Sequence, residues 1–234
     1  VLIEKDIGKP CIHRLRIIHL FEADFNLFLK IVWASRLVKQ AVALDLLNAG
    51  QHGSVPRRTT KDPITLTQLT TDLCHLLKIN LARFDNDATA CYDCIIVILG
   101  MLVARRCGMP KNAIRTHAKD LLFTKYTVKT MHGVSETNYS GTPFEPLFGT
   151  GQGSGASPAV WLTLIVILMN TMDCIIPKGM EFASPDGSNR QARLLGAFVD
   201  DTSIGYTNPG DMEFPLLTNR LQEIAQTWEQ LLHL

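Results

Sequence analysis

The sequence predicts an α+β fold on three observations. Helical and strand periodicities are mixed along the chain without the steady strand–helix–strand rhythm of a parallel sheet. Short apolar runs beside turn-forming residues occur in "INLARFDND" and in "RLLGAFVDDTSIGYT". Between and around them lie segments with the longer period of buried or half-buried helices. The 234 residues are 46% hydrophobic and 19% charged, which excludes a disordered chain and leaves room for one large domain or two lobes.

The elements follow in order. "VLIEK" and "RLRIIHLF" predict two short strands, and residues 25–47 a long amphipathic helix. "NAGQHGSVPRRTTKDP" has the Gly, Pro and polar content of a loop. Residues 64–77 read as a helix with Thr65 or Thr67 as its cap. "INLARFDND" is a strand, and it runs into "ATACYDCIIVILGMLVARR", read as a helix that carries Tyr92 and Asp93. "GMPKN" breaks that helix, and Pro110 stands where the next one starts, over 111–123. "YTVKTMHG" and "VSETNYSG" predict a hairpin, and "GTGQGSGASP" a glycine-rich loop that opens an apolar helix at 158–172. A strand–turn–strand unit follows, with Asp200 and Asp201 in the turn, and the last 20 residues are helical.

Composition narrows the function classes. The most apolar stretch, "WLTLIVILMNTMDCII", is interrupted by Asn170 and Asp173 and is short of the roughly 20 apolar residues of a membrane span. It reads as a buried core helix, and no membrane partner is expected. The six cysteines form no regular framework, which fits a reducing, intracellular setting, nucleus or cytoplasm. Cys91 and Cys94 make a C-x-x-C without the second ligand pair that zinc needs, so they read as packing residues. The chain begins at Val1 and stops at Leu234 inside a helical pattern, which reads as a piece of a longer protein.

Charge is uneven although the net is only +1. Residues 105–129 hold seven basic side chains against Asp120 alone, whereas from residue 173 onward nine acids stand against four bases. Two solvated faces would produce this pattern. So would a protein that holds a polyanion on one side and metal ions on the other.

The adjacent carboxylates Asp200 and Asp201 carry the chemistry. An ordinary type I′ hairpin turn would use Asn-Gly or Asp-Gly. Two aspartates repel, and burial raises the pKa of at least one. A divalent cation removes that cost, and Mg²⁺ is held by one or two carboxylates with substrate phosphates. A second acidic group exists in "RFDNDATACYD", where Asp85 and Asp87 alternate onto one face of a strand. "GQGSGASP" is a third element, a glycine loop before a helix whose amides suit a phosphate. The three together suit in-line phosphoryl transfer between carboxylate-held metals.

In the order of its motifs the chain resembles the reverse transcriptases of retroelements, those of non-LTR retrotransposons and group II introns. "DATACYD" resembles the first catalytic motif, Asp-x-x-x-Ala-Phe-Asp, with Cys91 in place of the Ala. "GQGSGASP" resembles Gln-Gly-x-x-x-Ser-Pro, and "FVDD" resembles Tyr/Phe-x-Asp-Asp. "QHGSVPRRTTKD" resembles a Gln-x-Gly-Phe-x-Pro-x-Arg-Ser-Thr block with Ser54 in place of Phe. "VLIEKDIGK" with "RIIHLFEAD" is the loosest match, since Ile17 replaces a proline.

The resemblance implies a right-hand polymerase, with fingers over 1–83 and a palm over 84–234 built on an antiparallel sheet. A helical, basic insertion falls at about 105–148, and primer grip and thumb would lie beyond Leu234. It implies Asp87, the Ala88 carbonyl and Asp200 as ligands of two Mg²⁺ ions, with Mn²⁺ a possible substitute and Asp201 as support. Lys5, Arg16, Tyr92, Gln152 and Gly153 would bind the nucleotide, and Tyr92 would crowd a ribose 2′-hydroxyl. Arg57, Arg58, Phe198 and Val199 would meet template and primer. The implied partners are an RNA template, a DNA or RNA primer and dNTPs. Two alternatives stand beside this reading: an RNA-dependent RNA polymerase, against which Tyr92 argues, and a decayed copy that binds nucleic acid without extending it.

Overall fold

A computed structural model describes residues 2–4, 15–88, 91–142, 145, 147–176, 181–184, 186–188, 190–192, 195–207 and 213–233. In chain order the elements begin with β1 (Leu2–Glu4), β2 (Leu15–Ile17), α1 (Ala23–Leu29), a π-helical segment (Lys30–Leu37), α2 (Val38–Ala43) and α3 (Lys61–Leu76). Next come β3 (Leu81–Asp87), α4 (Val97–Arg106), α5 (Lys111–Phe123), β4 (Lys129–Thr130), β5 (Gly133–Val134) and α6 (Ser157–Ile175). The chain finishes with β6 (Glu181–Ala183), β7 (Arg190–Ala192), β8 (Leu195–Phe198), β9 (Asp201–Thr207) and α7 (Phe214–Leu232). Every strand pairing between these elements is antiparallel, as the α+β class requires.

Two compact units divide the chain, each drawn from two stretches. The first is Val1–Leu46 with Ala90–Leu164, and the second is Leu47–Thr89 with Ile165–Leu234. The first unit is mainly helical. Along α1, the π segment and α2, the buried residues are Leu29, Trp33, Leu37, Val38 and Ala41. Leu29, Trp33 and Leu37 recur every fourth position, and the wider π turn keeps such residues on one face. His117 of α5 packs its ring on Trp33, 4.7 Å between centroids. Burial pushes the His117 pKa down to about 4, so the imidazole is neutral at pH 7. Gly100 of α4 lets that helix close on α6, since a Cβ there would lie 2.7 Å from the Val160 Cγ1.

The second unit is a three-stranded sheet with helices packed on it. The strand order is β3-β9-β8, and α7 lies against β3 and β9. Period-two alternation is visible in the burial. Leu195, Ala197, Thr202 and Ile204 are buried, while Arg83, Asp85, Asp87 and Asp201 are exposed. Leu217, Ile224 and Trp228 form the buried stripe of α7.

Three local expectations are corrected. The third helix begins at Lys61 rather than at 64, because Pro63 is tolerated in a first turn that needs no N–H there. Asp62 accepts the Thr59 N–H at 2.5 Å just ahead of the helix, and this bond lowers its carboxyl pKa. Neither Thr65 nor Thr67 caps the helix; both lie inside it. Tyr92 and Asp93 lie in a turn, and α4 starts only at Val97. The carbonyls of Tyr92 and Ile95 accept from Thr150 (2.8 Å) and Gly149 (2.7 Å) instead of from the next helical turn. The β6–β7 hairpin has no counterpart in the sequence reading.

Candidate functional site

Seven register pairs join β3 and β9, and the last sets Asp87 opposite Asp201. Residues directly opposite share a face, so these two carboxylates look the same way. Asp85, opposite Ser203, and Phe198, opposite Asp201, share that open face. The expected turn is shifted by one residue: Val199 and Asp200 form it, and Asp201 opens β9. The Ala88 N–H donates to the Asp200 carbonyl at 3.2 Å, which brings Asp87, Ala88, Asp200 and Asp201 together.

Electrostatics records the crowding. Burial pushes the Asp201 carboxyl above its ordinary value, and the charges of Asp200, Asp87 and Asp85 push it further. Asp85 behaves differently. Burial raises its pKa, but the Arg83 guanidinium at 2.7 Å and the Ser203 hydroxyl lower it by more. Asp85 thus has its own counter-ion, and the pair is solvated.

The hairpin tip is strained. Val199 has φ 58°, whereas Asp200 is not in the positive-φ region. This is the II′ pattern, which normally places glycine at the first turn position, rather than I′. A β-branched residue there is an outlier of the kind found at functional sites. The surroundings impose it. Segment 50–53 runs beside β8, with the Ala197 N–H donating to Gly50 (2.9 Å) and the His52 N–H to Ala197 (2.8 Å). A Cβ on Gly53 would lie 2.2 Å from the Val199 nitrogen, so only glycine permits this approach. The sequence reading missed Gly53; the signal was a glycine inside the Gln-His-Gly-Ser block.

Tyr92, Gln152 and Gly153 fall in the first unit. The glycine loop is in place before α6, with Gly149, Gly151 and Gly153 all at positive φ. Gln152 bridges to Ile18, and its carbonyl accepts the His19 N–H at 2.7 Å. The Ser157 hydroxyl donates to Thr150 (2.9 Å) and Gly151 (2.8 Å), and Asn26 closes on Gly153 (3.1 Å) and Gly155 (2.6 Å). The amides of Gly149, Thr150, Ser154 and Gly155 all donate to protein acceptors, so these four are closed to a phosphate. Tyr92 is half-buried and tied to the loop through its carbonyl. His19, absent from the sequence reading, lies against the loop: its ring would touch any Cβ on Gly151, and it packs on Tyr126 at 4.9 Å. Burial lowers the His19 pKa and raises that of Asp93, and each charge partly offsets the shift of the other.

Of the predicted cations, Lys5 lies outside the described residues, and Arg16 stands on β2 opposite Ile3. Arg57 is exposed at φ 66°. Arg58 is exposed too, but its Nη1 donates to main-chain carbonyls of Ala49 and Gln51. All seven basic side chains of 105–129 are exposed.

Among the described residues no three His, Cys, Asp or Glu side chains form a ready metal cage. The donors present nonetheless fit magnesium. They are hard carboxylate oxygens that repel one another, and Mg²⁺ uses one or two carboxylates and completes its shell from water and phosphates.

No family model and no curated protein matches this chain. Among solved structures it is similar to telomerase from Candida albicans in complex with a TWJ fragment of telomeric RNA. That match has 13% identity and a TM-score of 0.51, over 88% of this chain and 32% of that one. Telomerase from Candida tropicalis, also with a TWJ fragment of telomeric RNA, matches at 14% identity and TM-score 0.50, over 87% and 33%. The chain thus spans about a third of the telomerase chains it matches. At this identity the likeness concerns fold alone: the chain folds like part of those telomerase chains.

Proposed function

We propose that this chain is the fingers and palm portion of an RNA-directed DNA polymerase from a mobile retroelement, acting inside the cell. The observation that carries the reading is the β3–β9 register, which sets Asp87 opposite Asp201 with Asp200 in the adjoining turn. Fingers over 1–83 and palm over 84–234 belong to the same proposal. Asp87, the Ala88 carbonyl and Asp200 hold the metals, and Asp201 adds negative charge beside them. Two Mg²⁺ ions, or Mn²⁺ in their place, would when bound make the primer 3′-hydroxyl easier to deprotonate and steady the departing pyrophosphate.

The remaining roles are those of binding and orientation. Tyr92 crowds the ribose and so selects deoxynucleotides. Gln152 and Gly153 line the nucleotide, and Lys5 and Arg16 offset the charge of its triphosphate. Phe198 and Val199 support the primer end, Arg57 meets the template, and the exposed basic side chains of 105–129 track a nucleic-acid backbone.

The test is Mg²⁺-dependent primer extension by the native chain on an RNA template, with Asp200→Ala as the control and NTPs offered in place of dNTPs. Incorporation of dNTPs by the wild type alone is the expected result. Use of NTPs would give the RNA polymerase alternative the better claim. A folded protein that binds RNA and extends nothing would favour the decayed copy.

A further inference from the structure

Arg58 was expected at the template, yet its guanidinium faces the protein. Its Nη1 donates to the carbonyl of Ala49 at 2.9 Å and to that of Gln51. Those carbonyls bound a short segment tied down at every step. Upstream, the Asn48 Nδ2 donates to Asn170 (2.8 Å) and Asp173 (2.7 Å) on α6, and its Oδ1 accepts the Gly50 N–H at 2.9 Å. In the middle, Gln51 is buried and its Nε2 donates to the Gly53 carbonyl at 2.9 Å. Downstream, Gly50 and His52 share two main-chain bonds with Ala197 of β8. Gly53 then abuts the nitrogen of Val199, the strained residue next to Asp200.

We infer that Arg58 is a positioning residue: it staples segment 48–53, which braces the Val199–Asp200 turn and so sets the direction of the Asp200 carboxylate. This rests on the reading of Asp200 as a metal ligand, but the brace itself does not. The residue type fits the task. A planar guanidinium with several fixed N–H donors can serve neighbouring carbonyls without reorganising, and an ammonium on a flexible stem holds them less firmly. Unaided, a β-branched residue at positive φ would relax towards the β region and carry its neighbour with it. Asn170 and Asp173, on the exposed face of an otherwise apolar helix, serve as the anchor of the brace.

The experiment compares wild type, Arg58→Lys and Asn48→Ala in the native chain by three readouts. These are amide exchange of Ala197 and His52, RNA affinity as a function of salt, and the Mg²⁺ concentration for half-maximal extension. The brace predicts exchange about tenfold faster at those two amides in both variants, with exchange along the distal β3–β9 register unchanged. RNA affinity and its salt slope stay at wild-type values, and more Mg²⁺ is needed. Wild-type exchange in both variants overturns the inference. Weaker RNA binding with a salt slope reduced by about one in Arg58→Lys would return Arg58 to the template. Should Arg58→Lys fail to fold, Asn48→Ala decides by the same exchange criterion. If the wild type extends no primer, the polymerase reading fails, while the exchange result still judges the brace.

Discussion

Gly149, Gly151 and Gly153 carry the loop before α6 through φ values of 87°, 77° and 111°, and Val199 turns the hairpin between β8 and β9 at 58°. The loop uses glycine, for which this backbone is unstrained, and its hydrogen bonds close on the protein itself. The hairpin uses a β-branched residue, and beside it burial and the neighbouring carboxylates raise the pKa of Asp201. One region is at rest as folded. The other keeps backbone strain, imposed by packing, beside charge that a bound cation would offset. Strain and charge in one place mark the hairpin, and the loop shows neither.

The comparison can be broken hardest at the carboxylates. Asp87→Asn or Asp200→Asn should reduce primer extension by about 10³-fold or more, measured at saturating dNTP, with the fold intact by circular dichroism. Equal loss from a loop variant that folds normally would erase the distinction. In the loop, Gly153→Ala should destabilise the protein by about 2–3 kcal/mol in urea unfolding, since φ 111° suits only glycine and the new Cβ would lie 2.4 Å from the His19 carbonyl oxygen. At the hairpin the sign reverses. Val199→Gly should stabilise by about 1 kcal/mol while slowing extension, because relaxing the turn frees Asp200.

The smallest effect is a pH dependence. Asp201 has a folded pKa above its ordinary 3.8, so folding disfavours its ionised form. The penalty is absent well below 3.8, where both states are protonated, and grows as pH rises through the raised value. Asp201→Asn should therefore be the more stable protein at pH 7, and the gap should close on acidification. Added Mg²⁺ should narrow the gap at pH 7 by raising the wild-type Tm, and should do so less in Asp87→Asn.

Much of the fold was legible from sequence. The strands around Asp87 and Asp201 and the helices over 111–123 and before the C-terminus announce themselves by period and by turn residues. What stayed hidden depended on contacts distant in sequence. Tyr92 and Asp93 look helical until Thr150 and Gly149 take the carbonyls a helix would use. β6 and β7 are three residues each, too short for a periodic signal. The hairpin register slipped by one because two aspartates suit a turn better than Val-Asp does, and only the close approach of Gly53 explains why valine sits there. The order of the carboxylate motifs was visible; the face they share required the register.

Asn170 and Asp173 have one more consequence. A helix of Leu, Ile, Val and Met alone can slide by a turn against its neighbours with little loss, because one aliphatic contact resembles the next. A single amide seated on two polar partners favours one alignment: any displaced arrangement gives up both bonds of Asn48 at once. These two residues thus act as an index mark on the C-terminal half of α6, as Ser157 does at its start.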